Sequence, residues 1–310
     1  MRPLPLLCCL IAIIVQPSLC AAQDLPDSFD GARTVVYKTV GDVELKMHIF
    51  SPEQKADMPR PAIVFFFGGG WRAGTPEQFE QHCRYLASRG MVAATAEYRV
   101  SSRHKTQAKH CVQDGKSAVR WLRTHADELG IDPQRIAAGG GSAGGHVAAC
   151  TGTLEEFDEP GESTDVSARP DALVLYNPAA ALAPFDGQEP LPEYDPQSMR
   201  KRVGTDPVDL SPAHHVGPDV PPTIMFFGTA DRLLAGARYF REQMLEAGNR
   251  CELKLTDGAG HGFFNYGRGG NEAFRTTLEQ TDRFLASLGY LKGEPQVDEF
   301  LASQKQKDQT

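Results

Sequence analysis

The chain has no lysine- or arginine-rich block: 32 Lys and Arg stand against 40 Asp and Glu, a formal net charge of −8 over 310 residues. A polyanionic partner would find no electrostatic footprint, so no nucleic-acid partner is expected. Apolar runs of membrane-spanning length are also missing, since a span needs about 20 residues. The apolar stretch from Leu6 to Val15 is shorter; with Arg2 before it and Ser18, Cys20, Ala21 and Ala22 after it, residues 1–22 read as a signal peptide. Leu19 before Cys20 fits a lipoprotein site poorly. The mature protein is expected to be exported, periplasmic or secreted, with no stable membrane insertion after cleavage. No His-Glu-x-x-His run and no Cys-x-x-Cys pair occurs, so no metal and no metal-assisted hydrolysis is expected. Glu155-Glu156 sit side by side in a polar stretch, where they cannot face each other across a glycosidase cleft.

Cysteine is sparse once the leader is set aside. Cys8, Cys9 and Cys20 fall within it, leaving Cys83, Cys111, Cys150 and Cys251 with three possible pairings. Cys83 on an apolar helical stripe and Cys111 at the start of the next helix suggest a Cys83–Cys111 bridge in an oxidising compartment. Four buried free thiols are the equal alternative.

What the chain does have is alternation. Thr34 to Val40 and Val43 to Phe50 flank Gly41-Asp42 as an antiparallel hairpin. Short, mostly apolar runs follow at Ala62 to Phe67, Met91 to Glu97, Arg135 to Gly139, Ala172 to Tyr176, Thr223 to Phe227 and Cys251 to Thr256. Helix-sized segments separate them, which predicts an α/β fold: a mostly parallel, doubly wound eight-stranded sheet with helices on both faces. Thr75, Pro76 and Gln78 read as an N-cap, a first helical position and a completed capping box. Phe79, Cys83, Leu86 and Ala87 form the buried stripe of that helix, and Gly115, Ala118, Val119, Leu122 and Ala126 that of the next. Residues 23–291 are expected to form one domain, with an irregular, proline-rich cap at about 180–222 and a frayed polar tail at 292–310.

Three glycine-bearing signatures end three of these strands. Gly140-x-Ser142-x-Gly144 lies between a strand and a helix, the context that holds a nucleophilic serine on a strained turn. The same glycines satisfy a dinucleotide fingerprint, Gly139-x-Gly141-x-x-Gly144, but Glu159 and Glu162 fall in a proline-containing loop and not at the end of the next strand. The turn at Gly68 to Gly70 can aim backbone N–H groups at one point, and Ala143 can add another. His261, in Gly258-Ala259-Gly260-His261-Gly262, fits a general base, and Asp231, at the end of the preceding strand, fits its orienting acid. Asp257 competes with Asp231 but shares the short loop of His261. The order Ser, Asp, His is that of one hydrolase class.

Across most of Thr34 to Tyr290 the chain resembles the α/β-hydrolase fold, and within it the exported carbohydrate esterases and hormone-sensitive-lipase-like carboxylesterases (BD-FAE-like). The likeness rests on Gly68-Gly69-Gly70-Trp71, Glu97-Tyr98-Arg99, Asp114 to Leu122, Gly130-Ile131-Asp132-Pro133, Gly140 to His146, Leu210-Ser211-Pro212, Gly228 to Asp231 and Gly260 to Phe263. The resemblance implies a serine carboxylic-ester hydrolase working through an acyl-enzyme without a cofactor. Ser142 would be the nucleophile, His261 the base, Asp231 the acid, and Gly69, Gly70 and Ala143 the oxyanion donors. Trp71, Phe263 and Phe264 would shape the substrate pocket, and Arg99 and Asp114 would be a structural ion pair. The expected substrate is a small ester or an acylated carbohydrate, acetyl or similar; a serine peptidase and a non-catalytic binding module of the same fold are the rivals. One departure stands out: the family usually has histidine where this chain has Phe67, and that histidine helps hold the glycine turn. Some other residue must then order the loop, because each misplaced oxyanion donor costs about 2.7–4 kcal/mol.

Overall fold

A computed structural model describes residues 24–54 and 58–307; the expected signal peptide lies outside the described residues. Eight strands form one sheet: β1 (Arg33–Val40), β2 (Val43–Phe50), β3 (Arg60–Phe66), β4 (Val92–Ala96), β5 (Ile131–Gly141), β6 (Ala172–Tyr176), β7 (Thr223–Gly228) and β8 (Cys251–Thr256). The order across the sheet is β1-β2-β4-β3-β5-β6-β7-β8. The β1–β2 hairpin is antiparallel and joins antiparallel to β4, and every other pairing is parallel.

The helices are α1 (Glu80–Ser88), α2 (Ser101–His104), α3 (Ala108–Thr124), α4 (Ala126–Leu129), α5 (Ala143–Thr153), α6 (Pro196–Val203), α7 (Leu234–Glu246), α8 (Glu272–Ser287) and α9 (Val297–Lys307). They cover both faces, which is why the central strands read as unbroken apolar runs. Side chains of β3 divide by parity: Ala62, Val64 and Phe66 pack into the core shared with α3, α5 and α7, and Ile63 and Phe65 into the core shared with α1, α8 and α9.

That division decides the fate of the cysteines. Cys111 lies in the first core and Cys83 in the second, with the sheet between them. The expected Cys83–Cys111 bridge is absent, and Cys83, Cys111, Cys150 and Cys251 are all buried free thiols. Burial pushes every one of these thiols up, Cys251 to about 12, so they carry little thiolate character.

The tail also departs from expectation. It forms α9, because Val297 and Phe300 are buried in the second core and Phe300 stands edge-on to Tyr85, with ring centroids 5.5 Å apart. The acidic stretch after α5 is clamped onto α3. Lys116 donates to Asp158 and to the carbonyls of Glu155 and Glu156, and Arg120 donates to Asp158 and forms an ion pair with Glu162. Arg99 and Asp114 form the expected buried ion pair, at 2.7 Å, with Lys38 on Asp114 and Glu159 on both cations. These contacts fix the β1 edge and the loop after β4, and they lead the chain back toward the carboxyl ends of the parallel strands.

Candidate active site

The chain leaves β3 for β4 on one side and returns to β5 on the other, so the carboxyl ends of β3 and β5 flank a switch point where a crevice opens. Ser142 follows β5 directly. Its φ of 52° and ψ of −115° are strained for a residue with a Cβ. The turn is held by its N–H donating to Tyr176 O (2.9 Å) and by its carbonyl accepting from His146 N (2.9 Å). Close approach explains the glycine two residues on: a Cβ at Gly144 would stand 2.0 Å from the Phe66 carbonyl oxygen. Strand and helix therefore pack backbone to backbone, and the serine side chain is left at the cavity wall.

His261 follows β8 in a glycine-rich loop, with Nε2 2.8 Å from Ser142 Oγ and Nδ1 2.7 Å from Asp231 Oδ2. A carboxylate only accepts, so Nδ1 carries the proton and Nε2 is free to accept from the serine hydroxyl. The Asp231 side chain is fully buried and its second oxygen accepts from Leu233 N (2.9 Å). Asp257, the rival acid, instead accepts from the Thr229 hydroxyl at 3.1 Å. Three residues from distant positions in the sequence thus form one hydrogen-bonded line that ends at the cavity.

Gly69, Gly70 and Ala143 line the same cavity of about 950 Å³ as Ser142 and His261. Ala143 is the first residue of α5, so its N–H has no acceptor within the helix. Gly69 (φ 128°), Gly70 (φ 64°) and Trp71 (φ 59°) make three successive positive-φ residues, a turn that glycine makes possible at the first two. Phe67 is fully buried and stacks on Tyr98 at 4.2 Å, and the Tyr98 hydroxyl donates to the Phe67 carbonyl at 2.6 Å. Trp71 Nε1–H donates to His146 Nδ1 (3.2 Å), and His146 Nε2 bonds the Leu210 carbonyl (2.8 Å). Complete burial draws the pKa of His146 down to about 4, which keeps it neutral and able to accept.

Gln78 supplies what the missing histidine does not. No side chain caps the short 3₁₀ turn Pro76–Phe79, and Thr75 bonds Glu77, so the expected capping box does not form. The Gln78 amide accepts from Gly68 N–H (2.5 Å) and donates to Asn265 Oδ1 (2.7 Å). Asn265 donates to the Gly262 carbonyl (2.8 Å), and Gly262 N–H donates to Asn177 Oδ1 (3.0 Å). One chain of amides therefore ties the glycine turn to the histidine loop. Asn177, in the left-handed region (φ 38°) directly after β6, escaped the sequence reading. Its only signal was a polar residue between an apolar run and Pro178.

Of the expected pocket residues, Trp71 and Phe264 line the cavity and Phe263 does not. The Phe263 ring stands at 87° to Phe264 and packs, half-buried, against the second core. Phe264 is itself a core residue, stacked on Tyr176 at 4.6 Å, with one edge in the cavity. The segment 180–222 contributes Leu182, Leu191, Met199 and Arg202 to the opposite wall.

Comparison with known proteins agrees with this geometry. The BD-FAE family profile matches residues 47–238. A thermophilic esterase, Est2 of the planctomycete Thermogutta terrifontis, solved with propionate bound, is 48% identical and superposes with a TM-score of 0.80, covering 86% of this chain and 97% of that one. The same esterase has been solved with butyrate and phosphorylated by paraoxon. Carboxylesterase NlhH of Mycobacterium tuberculosis is 27% identical over 85% of this chain and 83% of its own. The probable isoprenylcysteine alpha-carbonyl methylesterase ICMEL1 of Arabidopsis thaliana is 25% identical over 74% of this chain, which spans half of that relative's length. The match over more than half its length, on a sheet that carries a serine at this switch point, makes the chain a member of the BD-FAE family, an α/β-hydrolase-fold serine esterase of the hormone-sensitive-lipase-like type.

Proposed function

We propose that the chain hydrolyses short-acyl esters by two-step acyl transfer. Ser142 is the nucleophile, His261 the general base, Asp231 the orienting acid, and Gly69, Gly70 and Ala143 the donors to the oxyanion. The observation that carries this reading is the line Asp231–His261–Ser142, with contacts of 2.7 and 2.8 Å, opening on a cavity lined by all three donors. His261 Nε2 takes the serine proton as Oγ attacks the ester carbon, and the negative charge that develops on the carbonyl oxygen meets the glycine turn and the start of α5. The resulting imidazolium, held by Asp231, protonates the leaving alcohol. A water deprotonated by the same nitrogen then releases the acid. Each step uses groups of this chain.

Support for a short acyl group comes from the Thermogutta esterase, whose structures hold propionate and butyrate. Gln81, Asn177 and Asn265 in the lining suit a polar alcohol such as a sugar, and the leader-like first 22 residues favour an exported enzyme meeting such esters outside the cytoplasm. Hydrolysis of chromogenic acetate through octanoate esters and of methyl ferulate, by the mature protein and by Ser142→Ala, tests the proposal. The variant is expected to lose about 10³-fold or more in turnover, and near-wild-type hydrolysis by it would refute the assignment.

A further inference from the structure

The charge of the cavity wall is unbalanced. Met199 and Arg202 lie three residues apart on α6, hence on one face of it, and both line the cavity. The Arg202 guanidinium is held in place: Nη2 donates to the Gly70 carbonyl at 3.0 Å, and the group sits 5.1 Å from the centroid of a Trp71 ring. Arg232, next to Asp231, lines the same cavity. Neither arginine pairs with a carboxylate among the described residues. Two carboxylates share the lining: Glu80 is paired with Arg84, and Glu77 accepts from the Thr75 hydroxyl and keeps its charge, while Asp231 is bound to His261 and Asp206 to Arg200, so among the described residues three cavity arginines stand against one carboxylate without a cationic partner. What faces Arg202 is more positive charge. Burial first, and then the charges of Arg72 and Arg232, draw its pKa below the usual guanidinium value. Arg268 lines the cavity as well and also lacks an acidic partner among the described residues.

Guanidinium groups that lack counter-ions, with one immobilised against an aromatic ring beside the oxyanion turn, form a preorganised fork for a planar anion. We propose that Arg202 and Arg232 form an anion subsite beside Ser142, so that the preferred ester carries a carboxylate on its acyl or its alcohol half. The proposal rests on the reading of Ser142 as nucleophile. The anion offsets the repulsion among Arg72, Arg202 and Arg232, and its charge-assisted hydrogen bonds position the ester carbonyl over the serine.

Two matched pairs test it by pH-stat at low salt, with rates normalised to each ester's hydroxide-catalysed hydrolysis. Monoethyl succinate against ethyl butyrate probes the acyl half, and 4-acetoxybenzoate against 4-acetoxybenzamide the alcohol half. The wild type is expected to favour the charged member of one pair by about tenfold or more in kcat/KM, mainly through KM, and to lose that preference in about 0.5 M salt. Arg232→Glu and Arg202→Gln should each collapse the ratio. Because Arg202 also touches the oxyanion turn, its variant is judged on the ratio, in which any general loss cancels. Equal or better turnover of the neutral member in both pairs, or variants that keep the wild-type ratio, overturns the subsite and leaves the esterase reading standing. No Ser142-dependent turnover of any of the four esters would overturn both.

Discussion

Replacing His82 by Phe should make the protein resist acid. The His82 ring is fully buried between β3, β6 and α8, with Phe79, Tyr176 and Phe274 at centroid distances of 4.9, 5.1 and 4.8 Å, and neither ring nitrogen has a hydrogen-bonding partner among the described residues. Burial alone draws its pKa down to about 3, against about 6.5 in an unfolded chain. Between those values the unfolded state binds the extra proton, so stability is full above pH 6.5 and falls as the pH drops below it. From pH 6.5 to 4.5 the loss is two units at 1.36 kcal/mol each, or about 3 kcal/mol from this one side chain. Phe cannot take up a proton, and it removes the unpaired polar atoms, which cost about 1–3 kcal/mol at any pH. Urea unfolding of both proteins at pH 7 and pH 4.5 reads the effect: the stability lost between the two pH values should be smaller by about 3 kcal/mol in the variant. Any packing strain from the larger ring is common to both pH values and cancels. An equal loss in the two proteins would refute the reasoning.

Other expectations follow from the same contacts. Gln78→Ala should lower kcat by about tenfold to a hundredfold with little change in KM, because the amide positions both the glycine turn and the histidine loop without touching substrate; a change confined to KM would contradict that role. Dithiothreitol should leave the unfolding midpoint unchanged, and thiol titration should find Cys83, Cys111, Cys150 and Cys251 only after denaturation; thiols reactive in the native protein would argue against the buried arrangement. Ending the chain before Val297 should cost about 3 kcal/mol or more through exposure of Val297 and Phe300 and of the surfaces beneath them, and chemical denaturation measures it directly.

All eight strands were legible: β1 and β2 as a hairpin around Gly41-Asp42, and the other six as short, mostly apolar runs between helix-length segments, an imprint that covered strands leave. β5 proved longer at both ends: Asp132, Pro133 and Gln134 break the strand pattern after Ile131, which pairs with Arg60 of β3, and Gly140 and Gly141 carry little strand propensity of their own but pair with β6. Ser142, Asp231 and His261 were legible because each ends a strand at the same edge of the sheet, and order and spacing along the chain encode that. What stayed hidden needed the third dimension. Cys83 and Cys111 are successive cysteines in the sequence and are separated by the sheet in space. Two apolar anchors in a polar tail give too weak a period to announce α9. Gln78 reads as a local cap, and only the fold brings Gly68 and Asn265 to its two amide atoms. Phe67 follows the same pattern: with a ring that cannot hydrogen-bond at the family's histidine position, the turn is held instead by Tyr98 on its carbonyl, Gln78 on Gly68 and His146 on Trp71.

The central claim is that Ser142, activated by His261, takes the acyl group. Paraoxon, which leaves a stable phosphoryl group on an activated serine, tests it most directly by peptide mass spectrometry alongside ester turnover. One adduct per chain on the peptide that holds Ser142, with turnover lost in step and neither effect in Ser142→Ala or His261→Ala, is the predicted result. Full turnover by protein phosphorylated at Ser142, or an inactivating adduct on another residue, would contradict it.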